Sequence, residues 1–365
     1  MRTVGVEEEL LLVDGETGRP RAVASRVVDR AGARPDESGS LGHELQQQQV
    51  ETDTAPHESM ADLEADLRGW RATAIEEARA AGARVVASGT SPMPAEPQRV
   101  PDHRFAQVAE RYGLTAREQL ACACHVHVGV ESDDEGVGVL DRIRTWLPVL
   151  VAISANSPFY QGADSGYASY RSQLMARWPT VGPYEPFGSA ERYHALVEAM
   201  VGSGVPLDKG MIYFDARLSA SYPTVEIRVA DVCADVRDAV LLAALCRALV
   251  DTAAREWASD VPPMDVSTSM LRLASWQASR EGVGGQLLDP ATGRPRPGHE
   301  VVEDLLEHLR PALAASGDES LVRGGLERIL SGGTGATRQR AVLDKTGQLV
   351  DVVAELARAT AGQED

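Results

Sequence analysis

The 365-residue sequence contains neither a G-x-x-x-x-G-K-[ST] loop nor a G-x-G-x-x-G fingerprint. A nucleotide bound here is therefore held without a P-loop or a dinucleotide-binding turn. Basic residues are in short supply, with 36 Lys+Arg against 54 Asp+Glu and a net charge of −18. That deficit excludes the basic footprint of non-specific nucleic-acid binding. It leaves room for an anionic ligand at a local positive or metal-bearing site. No apolar run is long enough to span a bilayer. The longest, Leu147 to Ala155, contains Pro148, so no membrane association is expected. No basic segment leads into an apolar run at the N-terminus, so no signal peptide is expected. Cysteine is scarce: Cys122, Cys124, Cys233 and Cys246 are all there is. A CxC on one strand is not a usual zinc or disulfide framework, and the four read as buried thiols of a cytoplasmic protein. Repeats and convincing linkers are also absent. Residues 1–365 therefore read as one domain, with sheet and active site in 1–235 and a helical part in 236–365.

What is present begins at Val4 to Val13, a strand ending at Gly15. Alternation puts Glu7 and Glu9 on one face, while Val4, Val6, Leu10 and Leu12 line the other. Two carboxylates about 6.6 Å apart on one face can approach cations from the same side. The competing reading is a solvated edge strand that uses charge against aggregation. Residues 24–43 show no sustained period. Residues 44–53, with four consecutive glutamines, read as a strand bearing Gln47, Gln49, Glu51 and Asp53 on one face. Residues 59–81 form an amphipathic helix, and 84–89 a short strand running into a Pro-rich loop. In 120–131, Cys122, Cys124, Val126, Val128 and Val130 oppose Ala123, His125, His127, Gly129 and Glu131. Helices are expected at 137–155 and 189–201, the latter capped by Ser189. Strands follow at 212–218 and 224–231, then helices at 236–257, 301–315, 319–330 and 338–360. Residues 289–297 read as an exposed loop. The pattern is α+β with a mainly antiparallel sheet.

Four strands share one design: an apolar face and a face of acids, amides, His or Arg. The polar sets are Glu7 and Glu9; Gln49, Glu51 and Asp53; His125 and His127; Glu226 and Arg228. Merged in one sheet, they make a surface dense in oxygen ligands, which suits Mg²⁺ or Mn²⁺ better than zinc. Arg228 and Arg171 suit phosphate or carboxylate. Each piece has an ordinary explanation on its own, such as hydrogen-bonded histidines or a same-face Glu226–Arg228 pair. Repetition across distant strands favours a site.

The succession Gly5-Val6-Glu7-Glu8-Glu9, Gln49-Val50-Glu51-Thr52-Asp53-Thr54-Ala55-Pro56, Cys124-His125-Val126-His127-Val128-Gly129, Ser154-Ala155-Asn156-Ser157-Pro158, Ser169-Tyr170-Arg171 with Trp178-Pro179, and Thr224-Val225-Glu226-Ile227-Arg228 resembles the bacterial glutamate–cysteine ligase type 2 family, also called carboxylate–amine ligases. The resemblance implies a glutamine-synthetase-like fold: a curved, mainly antiparallel sheet, helices on its outer face and a helical C-terminal region. It implies ATP and Mg²⁺ (or Mn²⁺) on the concave face, and activation of the glutamate γ-carboxylate as an acyl phosphate captured by an amine such as cysteine. It assigns Glu7, Glu9, Glu51 and Glu226 to metal, and one of His125 and His127 to ATP phosphate or metal. Arg228 would hold the transferring phosphoryl group and Arg171 the substrate carboxylate, with Asp53 and Asn156 as further substrate or metal contacts. A homodimer is left open. Two other functions remain in view: a metal-dependent hydrolase using the same acids on water, and a non-catalytic metal- or nucleotide-binding protein. An acyl phosphate must be kept from water, so a closing loop is expected, with 90–104 and 156–168 as candidates.

Overall fold

A computed structural model of the chain describes residues 1–31 and 39–363. Its strands are β1 (Val4–Val13), β2 (Ser40–His43), β3 (Gln49–Asp53), β4 (Arg84–Val86), β5 (Ala123–Gly129), β6 (Phe159–Tyr160), β7 (Ala163–Asp164), β8 (Ala216–Leu218), β9 (Thr224–Asp231), β10 (Gln286–Leu288) and β11 (Pro295–Pro297). The main sheet runs β2-β3-β1-β5-β9-β8, with β4 pairing beside β1, and every pairing in it is antiparallel. The helices are α1 (Ala24–Ala31), α2 (Met60–Ala80), α3 (His103–Tyr112), α4 (Leu114–Arg117), α5 (Asp133–Ile143), α6 (Leu147–Ile153), α7 (Tyr170–Met175), α8 (Ala190–Gly202), α9 (Val236–Ala258), α10 (Thr268–Glu281), α11 (Gly298–Ser316), α12 (Glu319–Gly332), α13 (Gly335–Thr346) and α14 (Leu349–Thr360).

One sheet face is the core. Val4 and Val6 of β1, Cys124, Val126 and Val128 of β5, and Val225 and Ile227 of β9 bury against α2, α5, α6 and α9. Helix α9 is apolar around most of its circumference, as a helix sunk in the core must be. The four cysteines are free and buried.

Glu8 follows the alternation onto this apolar face and is fully buried. Arg71 of α2 meets it through Nε at 2.8 Å and Nη2 at 2.6 Å, and donates also to the carbonyls of Cys233 and Ala234. One guanidinium thus ties the central strand, α2 and the entry to α9. Of the three consecutive acids, two face one way and the third is neutralised on the other.

Several expectations need correction. Residues 24–43 are not without regular structure: Ala24–Ala31 is helical and Ser40–His43 is a strand, while 32–38 lie outside the described residues. The strand expected over 44–53 is confined to Gln49–Asp53. Before it the chain leaves the sheet, and each glutamine donates its amide elsewhere: Gln46 to Ala116 O, Gln47 to Ser25 Oγ, Gln48 to Glu96 O and Gln49 to Ala121 O. The helices expected over 137–155 and 338–360 are each two, the latter broken at Gly347 in the left-handed region (φ 70°). Helices α3, α4 and α10 add to those expected, and Pro295–Pro297 pairs as a strand rather than lying in an open loop. Ser189 does cap α8, accepting from Arg192 N at 3.3 Å.

Arg71→Ala leaves a buried carboxylate unpaired and should cost about 3–5 kcal/mol in denaturant unfolding. Adding Glu8→Leu to it should recover much of that loss. Equal stability of wild type and Arg71→Ala would contradict the tie.

Candidate active site

The register of the central strands assembles the polar face. On β1, Glu7 lies opposite Asp53 of β3 and His125 of β5, and Glu9 opposite Glu51. On β5, His127 lies opposite Glu226 of β9, which lies opposite Arg217 of β8. Glu7 is the hub. Its Oε2 is 3.1 Å from His125 Nδ1 and its Oε1 is 3.0 Å from His127 Nε2. His127 Nδ1 contacts Thr224 Oγ1 at 2.9 Å. Glu226, 2 % exposed, takes Arg217 through Nε at 2.7 Å and Nη2 at 3.1 Å, and also pairs with Arg228.

Three overlapping sets of donor atoms result: Glu7, His127 and Glu226; Glu7, Glu51 and His125; Glu9, Glu44 and Glu51. Within each set the donor atoms lie within 4.8 Å of one another. The four predicted metal ligands Glu7, Glu9, Glu51 and Glu226 are thus brought together with both histidines.

Electrostatics separates the groups. Burial drives the carboxyls of Glu9 and Glu51 up, Glu51 further by Glu44 and Glu7 nearby. Burial and Glu9 push Glu44 up to about 8. Burial also raises Asp53, opposed by its hydrogen bond from Ser40. Burial works against ionisation of Glu7 too, yet its hydrogen bonds with His125 and His127 hold it well below the usual carboxylate range. Burial, and then Arg228, push His125 down to about 3, so its imidazole is neutral at pH 7. Three acids crowded at Glu9, Glu44 and Glu51, each shifted toward its protonated form, are short of positive charge. An oxygen-rich donor set with that deficit fits a hard divalent cation, Mg²⁺ or Mn²⁺.

Two cavities meet at Glu7 and Glu51. One, of about 340 Å³, holds Glu9, Glu44, His125, Arg171, Arg217, Arg228 and Tyr213. The other, of about 790 Å³, holds Asp53, His127, Thr224 and Tyr222. Arg228 sits over the Tyr213 ring, 5.7 Å from its centroid. Burial, then Arg217, lower it to about 10, so it stays cationic at neutral pH. Arg171 is 4 % exposed and gives Nη1 and Nη2 to the carbonyls of Val229 and Arg228, both at 3.2 Å, while its buried Nε has no partner.

Asn156 is placed elsewhere. Its amide donates to Ala87 O and Val232 O and accepts from Gln339, and it lines neither cavity. The loops 90–104 and 156–168 are tied to each other, by Gly162 N to Pro92 O and Ala95 N to Gln161 Oε1, and contribute only Arg104 to these cavities. Glu44 and Arg217 are the residues the sequence reading did not select. Arg217 was signalled by its place opposite an acid on paired strands. Glu44 stands in irregular chain that no alternation marks.

A profile described as glutamate–cysteine ligase family 2 matches residues 3–355. The chain belongs to that family. Among family-2 relatives, one from Streptomyces coelicolor is 54% identical over 99% of both chains, and one from Streptomyces avermitilis is 53% identical over 99% of this chain and 100% of its own. Both carry the provisional name glutamate–cysteine ligase 2 or 2-1. Among solved structures, a glutamate–cysteine ligase from Francisella tularensis in complex with AMP superposes with a TM-score of 0.72 at 13% identity, over 99% of this chain and 88% of that one. The complex of the ubiquitin-like protein Pup with its ligase PafA gives 0.57 at 13% identity, over 98% and 72%. These likenesses establish a shared fold: a mainly antiparallel sheet with packed helices and a helical C-terminal region.

Folded Glu44 keeps its proton up to about 8, against an ordinary 4.5, so without divalent cations it favours the folded state below 4.5 and loses that contribution as pH rises toward 8. The unfolding free energy of Glu44→Gln minus that of wild type should therefore grow across this window, and Mg²⁺ or Mn²⁺ should shrink the difference. A difference independent of pH would contradict the crowding.

Proposed function

We propose that this chain is an ATP-dependent carboxylate–amine ligase that joins the γ-carboxylate of glutamate to an amine through an acyl phosphate. What carries the reading is the junction of three oxygen-rich donor sets with the cations Arg217 and Arg228 at their edge. Family membership supports it, since the relatives are named for glutamate and cysteine. The sequence has no P-loop motif, so in this reading the polar face of the sheet would supply the phosphate-facing groups.

Glu7, Glu9, Glu51 and Glu226 would hold Mg²⁺ or Mn²⁺, with Glu44, His125 and His127 completing the sets. Bound there, the ions supply positive charge that gathers phosphate and carboxylate oxygens and offsets charge in the transferring group. His127, Asp53 and Tyr222 line the larger cavity, which is where the ATP reading places the nucleotide. Arg228 is a fixed, partly buried cation for the phosphoryl oxygens, oriented by Glu226 and the Tyr213 face. Arg171, whose guanidinium lines the acid-rich cavity, would hold the substrate carboxylate. In the first step a carboxylate oxygen bonds to the γ-phosphorus and ADP leaves. In the second the amine nitrogen bonds to the acyl carbon, phosphate leaves, and the nitrogen gives up a proton. Pinning the reactants in the wall between cavities is the main work left to the protein.

The direct test is ADP release with Mg²⁺, ATP and glutamate, with and without a panel of amines, and the mass of the condensed product. Amine-dependent ADP and a γ-glutamyl amide are expected. Turnover of esters or amides without ATP would mean a hydrolase instead. Glu226→Gln should lower ADP release at least about 100-fold, the scale of losing one preorganised charge contact, with an unchanged circular dichroism spectrum. Near-wild-type turnover would remove Glu226 from the site. Arg171→Lys, which loses the planar fork, should raise the KM for glutamate at least about tenfold and that for ATP by much less. Equal rises in both would mean that Arg171 does not serve the carboxylate.

A further inference from the structure

A third cavity, of about 380 Å³, lies against the same two arginines. Arg171 and Arg228 line it and also line the acid-rich cavity, so they form the wall between the two. Its character is different. No metal-ligand acid reaches it. Its walls are largely apolar, with Val181 and Phe214 inside and the exposed Leu273 and Trp276 of α10 at the rim.

Two groups that line this cavity, Asp215 and Arg272, make no side-chain hydrogen bond or ion pair among the described residues. Asp215 directly precedes β8, and its carboxylate makes no hydrogen bond or ion pair among the described residues. Only its backbone is engaged, donating to Gly182 O and accepting from Arg228 N. Burial pushes its carboxyl up to about 7, opposed by Arg171 nearby, which makes no hydrogen bond or ion pair with it. Arg272 of α10 is exposed and has no hydrogen bond or ion pair among the described residues. The two do not pair with each other. A carboxylate and a guanidinium left open in one apolar cavity are complementary to a zwitterion carrying an apolar side chain.

We propose that this cavity is the acceptor site, and that it takes an α-amino acid with a bulky apolar side chain: Asp215 receives the ammonium, Arg272 the carboxylate, and Trp276, Leu273 and Phe214 the side chain. The inference rests on the ligase reading and supplies its missing amine. It also says why the acceptor and the acid substrate do not compete. The acid-rich cavity attracts cations and, through them, anions, whereas this one offers a single acid beyond the Arg171–Arg228 wall. Leu273 and Trp276, 56% and 45% exposed, gain burial only when such a side chain covers them. Cysteine, small and able to cover neither, should be the weaker acceptor.

The test uses the full chain and two variants, Arg272→Met and Asp215→Asn. Arg272 is exposed and Asp215→Asn is isosteric, so neither threatens the fold. Ligation of L-leucine and L-methionine is compared with that of L-cysteine and of isoamylamine, which lacks the carboxylate. In parallel, hydroxylamine traps the activated glutamate as a hydroxamate without using an acceptor site, and calorimetry reads L-leucine binding directly. L-leucine or L-methionine should outperform L-cysteine in kcat/KM. Each variant should raise the KM for L-leucine at least about tenfold, the loss of one charged hydrogen bond. Arg272→Met should leave isoamylamine unchanged, and both variants should keep hydroxamate formation and the KM for ATP. Unchanged KM for L-leucine in both variants would overturn the assignment. So would parallel loss of hydroxamate, or a shift confined to ATP, since either would place these residues with another substrate. If wild type forms no hydroxamate but binds L-leucine, and the variants do not, the pocket stands and the ligase reading falls.

Discussion

The antiparallel register of four strands is the constraint on which the site depends. Side chains alternate with a period of two, so sliding β1 by one residue against its neighbours would turn Glu7 and Glu9 into the core and Glu8 into the cavity. Two features hold the register. The apolar partners Val4, Val6, Val126 and Ile227 commit one face to α2, α5, α6 and α9. The Glu8–Arg71 pair commits the odd acid to that same face. The stretch of three glutamates is then two acids on the polar face and one anchor, and its local cost as a strand is met from opposite sides of the sheet.

Given that register, the chemistry follows from crowding. Acids that would avoid one another in solution are held where burial and mutual repulsion push their carboxyls toward protonation. Glu7 is the exception, because His125 and His127 satisfy it. Glu226 is ion-paired with Arg217 and Arg228. The face therefore contains acids already paired, which fix its geometry, and acids still short of charge, which want a cation. Arg171 and Arg228 close it on one side and separate it from the cavity bearing Asp215 and Arg272. In the proposed reaction, a carboxylate held at that wall would face activating groups on one side and an incoming nucleophile on the other.

Much of this was legible in the sequence because alternation is a strong local signal. Glu7, Glu9, Glu51, His125, His127, Glu226 and Arg228 were all found by their phase on strands, and they converge. What alternation cannot mark was missed. Glu44 sits in chain that leaves the sheet, its position fixed by glutamine amides bonding to distant segments. Helices α1 and α3 are only 8 and 10 residues long, so their apolar stripes repeat too few times to stand out, and α10 mixes small and polar residues among its apolar ones. Asn156 was chosen from motif likeness. Its amide is spent holding Ala87, Val232 and Gln339 together behind the sheet, a role that depends on residues almost two hundred positions away.

The central claim is that these distant acids form one divalent-cation site. Anomalous scattering from crystals grown with Mn²⁺ and a non-hydrolysable ATP analogue tests it most directly. The account predicts manganese peaks among Glu7, Glu9, Glu51 and Glu226, with the triphosphate reaching them from the side of His127. Manganese bound elsewhere, with these four carboxylates free of metal, would contradict it.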